Sequence, residues 1–298
     1  MTRMNSSLLL ENPLAKTIRP YLGAVRRRLR SWPARTYRQK EELLKDSSLG
    51  AQERELLEKV ESRISPGDGM YTGDGGHYFK VGLDAIRCIE SAIDAAELSS
   101  VTRILDLPCG HGRVLRFLVN RFPKATITAS DLDRKGVDFC ARIFGAQPVY
   151  SQSNLSKVAL DAQFDLIWCG SLVTHFDADG LRGLFHFFAR HLSPGGFLVF
   201  TAHGERAVQR MLNREFDYDI VPECIPPLIA SFREDGFGFA NYPGQRTYGV
   251  SLTAPEWIHG ETEKLGLSEV YFREHGWDNH QDVYGFRATA LTQRLKEI

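Results

Sequence analysis

The sequence has no excess of charge of either sign, because 37 lysines and arginines balance 37 aspartates and glutamates among its 298 residues. A field over the whole molecule that would attract a polyanion is therefore absent. The main domain also lacks a basic stripe with interleaved aromatic residues, so we expect no nucleic-acid partner.

Cysteine is scarce and shows no pairing pattern. The five cysteines are scattered and form no CxxC pair, which argues against a disulfide framework or a zinc site. Histidine, cysteine and acidic residues show no other metal-ligand spacing. We therefore predict no bound metal and a reducing, cytoplasmic location.

Long apolar runs are missing as well. No run approaches the roughly 18 residues that would span a bilayer, and residues 1–10 have neither a basic region nor a cleavage site typical of a leader. We expect a protein that is neither secreted nor integral to a membrane. Its 43% hydrophobic content suffices for a full core, and its length favours one domain with extensions.

Residues 1–76 are predicted to form an N-terminal helical extension and linker. Residues 15–40 carry most of its basic charge, residues 41–64 have a polar helical pattern, and residues 65–76 are rich in turn formers. Two interpretations stay open. The extension is either a solvated arm packed on the main domain or a basic amphipathic segment in peripheral contact with anionic lipid.

Residues 77–298 read as the main domain. From residue 101 onward, short apolar strands alternate with amphipathic helices. This pattern predicts a doubly wound α/β domain with right-handed crossovers. Such sheets bind ligands at the carboxyl ends of their strands.

The stretch RILDLPCGHGRVLRFL, residues 103–118, runs from a strand through a glycine turn into a helix. Gly110 and Gly112 let the backbone approach a ligand closely, and the following helix directs amide donors at the same space. Asp106 ends the strand. Asp131 ends the next strand, at about the 20-residue spacing with which an acid binds ribose hydroxyls. The set predicts a nucleotide-type ligand rather than a tight turn with two solvated aspartates.

These residues resemble the first motif of class I S-adenosylmethionine-dependent methyltransferases, which is an acid, an apolar residue and then G-x-G-x-G. Pro108 stands at the first glycine position and is followed by Cys109. The resemblance covers about residues 78–290. It implies a Rossmann-like sheet of seven strands in the order 3-2-1-4-5-7-6, with the last inserted strand antiparallel, and S-adenosyl-L-methionine as cofactor.

The resemblance also implies roles for individual residues. Asp131 is expected at the ribose, with Leu132 against the adenine and Ser153 and Asn154 at the adenine edge. The end of the fourth strand is expected to face the methionine part of the cofactor and the acceptor. The implied cofactor set is Asp106, Pro108, Cys109, Gly110, Gly112, Asp131, Leu132, Ser153, Asn154, Gly170 and Ser171.

Two other classes remain as alternatives. A dehydrogenase opens with the same fold, but Leu115 stands where its glycine loop usually has a small residue, and Asp106 would repel a pyrophosphate. The second alternative is a regulatory or interaction protein that binds the cofactor without turnover. Cofactor binding without methylation of any acceptor would identify it.

An insert at about residues 205–253 is predicted to form a β-hairpin lid with a turn at Pro243 and Gly244. Aromatic residues in and near it are expected at one mouth, where flat faces bind a sugar ring. These residues are Tyr242, Tyr248, Trp257 and Trp277. The interpretation favours O-methylation of a sugar, glycan or other small-molecule hydroxyl. N-methylation, and aromatics that simply pack the insert onto the sheet, stay open.

A hydroxyl acceptor benefits from a general base. His175 follows the fourth strand, and His280 lies between the last two strands with Asp278 and Asp282 nearby to orient it. Both are candidate catalytic residues, with structural hydrogen bonding as the alternative.

Other histidines receive lesser roles. His186 and His191 lie in an amphipathic helix and are expected to pack or cap. His77 and Tyr78 precede the domain, where the resemblance suggests a segment that closes over the cofactor.

Overall fold

The computed structural model describes residues 32–294 except 99, 159 and 161. Residues 15–31, which are most of the basic stretch proposed to contact lipid, lie outside the described residues. Within residues 32–294, apart from those gaps, no helix is both long and apolar enough to cross a bilayer.

A seven-stranded sheet forms the centre of the molecule, with the order β3-β2-β1-β4-β5-β9-β8. The strands are β1 Arg103–Asp106, β2 Thr126–Asp131, β3 Gln147–Tyr150, β4 Phe164–Cys169, β5 Leu192–Ala202, β8 Leu267–Trp277 and β9 Gln281–Ala288. Strand β9 is antiparallel to both neighbours, and the other pairs are parallel. The α/β class, the strand order and the antiparallel strand are confirmed.

Helices cover both faces of this sheet. They are α1 at residues 32–44, α2 Ala51–Lys59, α3 Gly75–Ala95, α4 Leu115–Arg121, α5 Arg134–Phe144, α6 Ala178–His191, α7 Glu205–Leu212, α8 Ile225–Asp235, α9 Pro255–Glu263 and α10 Ala290–Arg294. Successive strand residues alternate between the two faces, so Ile104 packs with α3 and α4, whereas Leu105 packs with α6. Strand β4 apart from Asp165, and residues 197–200 of β5, are apolar because both of their faces are buried.

The segment at residues 32–74 packs against α3 and α4. The Trp32 indole donates to the Ile64 carbonyl at 2.7 Å, and the Lys40 ammonium donates to the carbonyls of Glu58 and Val60 at 3.0 and 3.1 Å. Its buried apolar side chains belong to the same core as α3 and α4; they are Leu43, Leu49, Leu57, Val60, Ile64 and Tyr71. The described part of the extension is thus integral to that core.

Arg116 joins this segment to the glycine loop. The side chain is fully buried in α4 and donates through Nε to the Gly112 carbonyl at 2.9 Å. Its Nη1 donates to the carbonyls of Glu61 and Arg63 at 2.8 and 3.1 Å, and Nη2 donates to the Tyr78 hydroxyl at 3.2 Å. Neutral acceptors therefore bind all three nitrogens of the guanidinium.

The insert contains α7, α8 and a two-stranded antiparallel sheet of β6 Phe237–Asn241 and β7 Gly249–Thr253. The amide of Gln245 donates to the Tyr242 carbonyl at 2.9 Å, and Gly244 has φ +78°. Proline followed by a left-handed glycine is the signature of a type II turn. The predicted hairpin, with its turn at Pro243 and Gly244, is confirmed.

Candidate functional site

Asp106 lies at the carboxyl end of β1 with 1% of its surface exposed, and neither carboxylate oxygen has a hydrogen-bond partner. Burial, and next the neighbouring Asp131 carboxylate, raise the pKa of Asp106 well above its ordinary value. A buried carboxylate without donors is costly. The position therefore fits a ligand that brings a cation or hydrogen-bond donors.

The loop after β1 is held by backbone hydrogen bonds. The Leu107 amide donates to the Trp168 carbonyl at 3.1 Å, and the Cys109 amide donates to the Ser130 carbonyl at 3.0 Å. Pro108, between them, follows a cis peptide bond. The loop is therefore attached to the ends of β4 and β2.

The two glycines of this loop serve different purposes. Gly110 has φ +49°, and no atom lies within 4 Å of the position that a Cβ would take. A Cβ on Gly112, at φ +79°, would lie 2.5 Å from the Phe144 ring of α5. Gly110 leaves space for a ligand, whereas Gly112 allows the loop to pack on α5.

Asp131 ends β2 beside this loop. One carboxylate oxygen accepts from the Gly110 amide at 2.8 Å and the other from the Asp133 amide at 2.9 Å. Leu132 is 62% exposed next to it. Asp131 is thereby fixed in orientation, and each of its oxygens retains capacity for another donor.

Ser153 and Asn154 follow β3 at the same edge of the sheet, since the Ser151 amide donates to the Asp131 carbonyl at 2.9 Å. Both are exposed. They also line a groove of about 1060 Å³ that runs along α6 to Thr247 of the hairpin. Asp106, Gly110 and Asp131 do not line this groove, so it is separate from the space above the glycine loop.

Ser171 has φ +61° and takes part in a polar network across three strand ends. Its amide donates to the Thr201 hydroxyl at 2.8 Å, and the Gln281 amide group donates to the Ser171 hydroxyl at 2.9 Å. Thr201 donates in turn to Gln281 at 2.5 Å. Gly170 is confined, because a Cβ there would lie 3.1 Å from the Trp277 ring. Sequence reasoning did not identify Thr201 or Gln281.

His175 lies just after β4, under the hairpin. Its Nδ1 is 3.0 Å from the Gly249 carbonyl, which can only accept, so Nδ1 carries the proton and Nε2 has the free lone pair. The Tyr242 hydroxyl lies 3.1 Å from Nδ1, and the Tyr248 ring stacks on the imidazole at 5.0 Å. Burial lowers the pKa of His175, so the neutral form is favoured. This is the state that a general base requires.

His280 differs from His175. Its Nδ1 accepts from Nη1 of Arg210 at 3.0 Å, and its Nε2 is 3.4 Å from the Tyr218 hydroxyl. Burial, and next the charges of Arg210 and Arg206, lower the pKa of His280 to about 4. The lone pair is therefore occupied, which does not fit the predicted base and favours a positioning role.

The acids expected to orient His280 have other partners. The Asp282 carboxylate accepts from the His275 amide at 2.9 Å, and Asp278 lies 3.6 Å from Nε2 of His77. The prediction that they orient His280 is wrong.

Sequence reasoning missed His203, which follows β5 at the same edge as Asp106. It is 4% exposed, its Nδ1 has no hydrogen-bond partner, and its ring lies 5.2 Å from His280 and 4.8 Å from Tyr218. Burial lowers its pKa well below the ordinary value, and repulsion from the neighbouring imidazoles of His280 and His175 in their protonated forms adds to this effect. Its place directly after a strand was the signal that could have identified it.

The four aromatic residues predicted at one mouth do not lie together. Tyr242 and Tyr248 lie 5.5 Å apart beside His175. Trp277 is buried, packs on Trp168 and donates to the Val81 carbonyl at 3.0 Å. In the described part of the chain, neither tryptophan ring contacts either tyrosine, so the predicted four-residue mouth is wrong.

Trp257 packs on Phe237 at the base of the hairpin, with ring centroids 4.7 Å apart. Packing of the insert, the alternative left open, describes Trp257, whereas Trp277 packs in the core with α3 and α4.

The remaining histidines take minor positions. His191 bonds the Phe187 carbonyl at 2.8 Å within α6, as expected for a packing residue, and His186 is exposed. Tyr78 is buried and donates to Asp68 at 2.6 Å. Over the described ranges, His, Cys, Asp and Glu form no group of three that could hold a metal ion.

Residues 104–196 match the sequence model of a family described as "Methyltransferase domain". Among curated proteins, the malonyl-[acyl-carrier protein] O-methyltransferase of Bacillus anthracis is 31% identical over 121 residues, which are 38% of this chain and 42% of that protein. The fatty-acid O-methyltransferase of Mycolicibacterium smegmatis is 32% identical over 107 residues, 33% of this chain and 36% of that protein. The chain thus spans less than half the length of these relatives.

Solved structures share the fold at low identity. The SAM-bound CalS10 of Micromonospora echinaspora, an amino pentose methyltransferase of calicheamicin biosynthesis, aligns with a TM-score of 0.51 and 19% identity. The alignment covers 76% of this chain and 98% of CalS10. At this identity the likeness concerns the fold alone.

Proposed function

We propose that the chain is an S-adenosyl-L-methionine-dependent methyltransferase, because residues 104–196 match the methyltransferase-domain model, in line with the resemblance to class I enzymes. The observation that carries this proposal is Asp106, whose buried carboxylate has no partner beside a glycine loop with open space. A cofactor with an ammonium group supplies the cation that this carboxylate lacks.

The residues of the cleft fit such a cofactor. Asp106 would bind the ammonium, and Asp131 would accept from the ribose hydroxyls with oxygens already oriented by Gly110 and Asp133. Leu132 offers apolar surface for the adenine. The guanidinium of Arg113 lies 5.6 Å from the centre of the Trp277 ring and would bind the carboxylate of the cofactor's methionine part.

The cofactor supplies a methyl group on a good leaving group, so the protein mainly aligns the acceptor and excludes water. His175 is suited to receive the acceptor proton at Nε2, because Nδ1 donates to Gly249 and burial keeps the ring neutral. Tyr242 and Tyr248 would hold the acceptor beside it, and the hairpin would act as a lid.

The acceptor is proposed to be an oxygen of a small molecule, with a sugar or glycan hydroxyl as one form. The names of both curated relatives, which are O-methyltransferases, support oxygen. The paired tyrosines support an acceptor with a flat apolar side. N-methylation remains the alternative if removal of His175 leaves turnover intact.

The test uses purified full-length protein. Calorimetry with S-adenosylmethionine and S-adenosylhomocysteine should show binding, whereas binding of NAD alone would reject the proposal. Incubation with methyl-labelled cofactor and fractionated metabolites should then label an acceptor. Cofactor binding without any labelled product would instead identify a regulatory protein.

A cytoplasmic location, and lipid contact through the basic residues near the N-terminus, also remain proposals. Co-sedimentation of the full chain with anionic vesicles, compared with neutral vesicles, tests the lipid contact. Equal recovery with both would reject it.

A further inference from the structure

A cluster of cationic and imidazole groups lies where β5 passes into α7, and the proposed function assigns no role to it. We define the α7 cluster as His203, Arg206, Arg210, Tyr218 and His280. We propose that the α7 cluster binds a carboxylate of the acceptor and thereby restricts the enzyme to anionic acceptors. This inference rests on the proposed function.

The two arginines are poorly compensated. Nε of Arg206 is buried and has no hydrogen-bond partner. The Arg210 guanidinium donates to neutral His280, and its carboxylate neighbour, Glu215, is 3.8 Å away with a side chain 47% exposed. A half-buried guanidinium costs free energy when no anion lies within hydrogen-bond distance. A ligand carboxylate would supply the missing acceptors, and planar guanidinium groups match carboxylate geometry.

Arg206 and Arg210 are four residues apart on α7, so they share one side of the helix. Both guanidinium charges act on the same groups, because they help to lower the pKa of His280 and oppose the burial that raises the pKa of Tyr218. Glu205 is committed elsewhere, since it pairs with Arg233 at 2.5 Å. The arginine charges therefore act together on one space.

The imidazoles add donors and acceptors without adding charge. His280 and His203 are both held neutral by burial. Nδ1 of His203 has no partner and lies beside Tyr218 and His280. Of the nearby acids, Asp219 is exposed, and burial raises the pKa of Asp282, which disfavours its charged form.

The α7 cluster adjoins the proposed reaction centre. His203 follows β5, and its pKa responds to both His280 and His175. Tyr242, which contacts His175, lies close enough to Asp219 for the Asp219 carboxylate to contribute to raising its pKa. One small molecule could therefore place a carboxylate on the arginines and the oxygen to be methylated at His175.

The experiment titrates full-length protein, saturated with S-adenosylhomocysteine, with malonate, citrate, inorganic phosphate and uncharged methyl glucoside. We expect malonate or citrate to bind the wild type more tightly than phosphate, and methyl glucoside to bind weakly. Arg206→Gln and Arg210→Gln should each weaken carboxylate binding at least tenfold, and Arg206→Lys should fall between. The matched control Arg142→Gln, which removes an exposed arginine of α5, should bind as the wild type does.

Three results would overturn the inference. They are no carboxylate binding by the wild type, carboxylate binding by both glutamine variants that equals that of the wild type, or tighter binding of phosphate or methyl glucoside than of the carboxylates. S-adenosylhomocysteine affinity separates the two proposals. If the wild type does not bind S-adenosylhomocysteine, the proposed function is rejected. If it binds S-adenosylhomocysteine but no carboxylate, only the assignment of the α7 cluster as an anion site is rejected. Retention in the variants shows that they fold.

Discussion

The proposed cofactor end and the proposed acceptor end of the site carry opposite charge. At the cofactor end, Asp106 is a buried carboxylate without a partner, and Asp131 lies beside it. At the acceptor end, Nε of Arg206 is buried without a hydrogen-bond partner, and Arg210 has only the exposed Glu215 carboxylate as counter-charge, 3.8 Å away. The first end thus lacks a cation and the second lacks an anion, which suits the proposed cationic methyl donor at the first and the proposed anionic acceptor at the second.

The ends also differ in how the chain builds them. The cofactor end comes from two neighbouring strands and one loop, within residues 106–133. The acceptor end draws on residues from 171 to 281, contributed by β4, β5, the insert and β9. Variants at the first end should change cofactor affinity, and variants at the second should change turnover or acceptor affinity.

The largest expected effect is at the acceptor end. His175→Asn keeps a side-chain donor for the Gly249 carbonyl but removes the base, so turnover should fall about 10²–10⁴-fold with cofactor affinity unchanged. Steady-state kinetics and calorimetry measure the two quantities. His186→Asn, on the exposed side of α6, is the control. Full turnover in His175→Asn would show that the acceptor needs no base.

Asp106→Asn probes the cofactor end and should weaken cofactor binding by about 1.5–3 kcal/mol, or roughly 10- to 150-fold. The same change should stabilise the free protein. Burial raises the pKa of Asp106 above its unfolded value of about 3.9, so the folded state binds more protons within that window. Wild-type stability then falls as pH rises through the window.

Because asparagine does not titrate, the stability advantage of Asp106→Asn should be larger at pH 8 than at pH 5. Urea unfolding at both pH values measures it. An advantage that shrinks toward pH 8 would mean that the carboxylate is not destabilising in the free protein.

Gly136→Ala tests whether the loop can move. An alanine Cβ would lie 2.3 Å from the Gly110 carbonyl oxygen, so we expect a loss of about 1–3 kcal/mol in stability and weaker cofactor binding. Gly183→Ala in α6, where no atom lies within 4 Å, should instead be neutral or about 1 kcal/mol stabilising. Equal cofactor affinity in both variants would show that the loop position is not critical.

Tyr242→Phe is the mildest change, because it removes only the hydroxyl beside Nδ1 of His175. One hydrogen bond of about 1 kcal/mol predicts a severalfold fall in turnover and no change in cofactor affinity. Tyr37→Phe, at an exposed position in α1, serves as control. A change in cofactor affinity would mean that the hairpin also supports the cofactor end.

Local pattern accounts for what the sequence predicted well. The apolar run of β4, the acid and glycines after β1, and proline followed by glycine at 243 and 244 each specify a conformation within a few residues. The same holds for the α/β class. Where a property depends on nearby residues, the sequence is sufficient.

Prediction was weaker where partners are distant in sequence. His280 meets Arg210, which is 70 residues away, and Trp277 donates to Val81, which is 196 residues away. No local pattern specifies such pairs. Helix α8 was missed for another reason, since the prolines near its start resemble a loop although proline fits the first turn of a helix.

Arg116 couples the unfolding of two parts of the molecule. One buried guanidinium binds the Gly112 carbonyl on one side and the carbonyls of Glu61 and Arg63 on the other. Detachment of residues 61–63 would leave Nη1 of this buried group without its acceptors, and opening of the loop at Gly112 would leave Nε without its acceptor. Each rearrangement alone therefore costs free energy. The N-terminal segment and the glycine loop therefore belong to one cooperative unfolding unit, so the ligand that stabilises the loop also protects a stretch of chain that it does not touch.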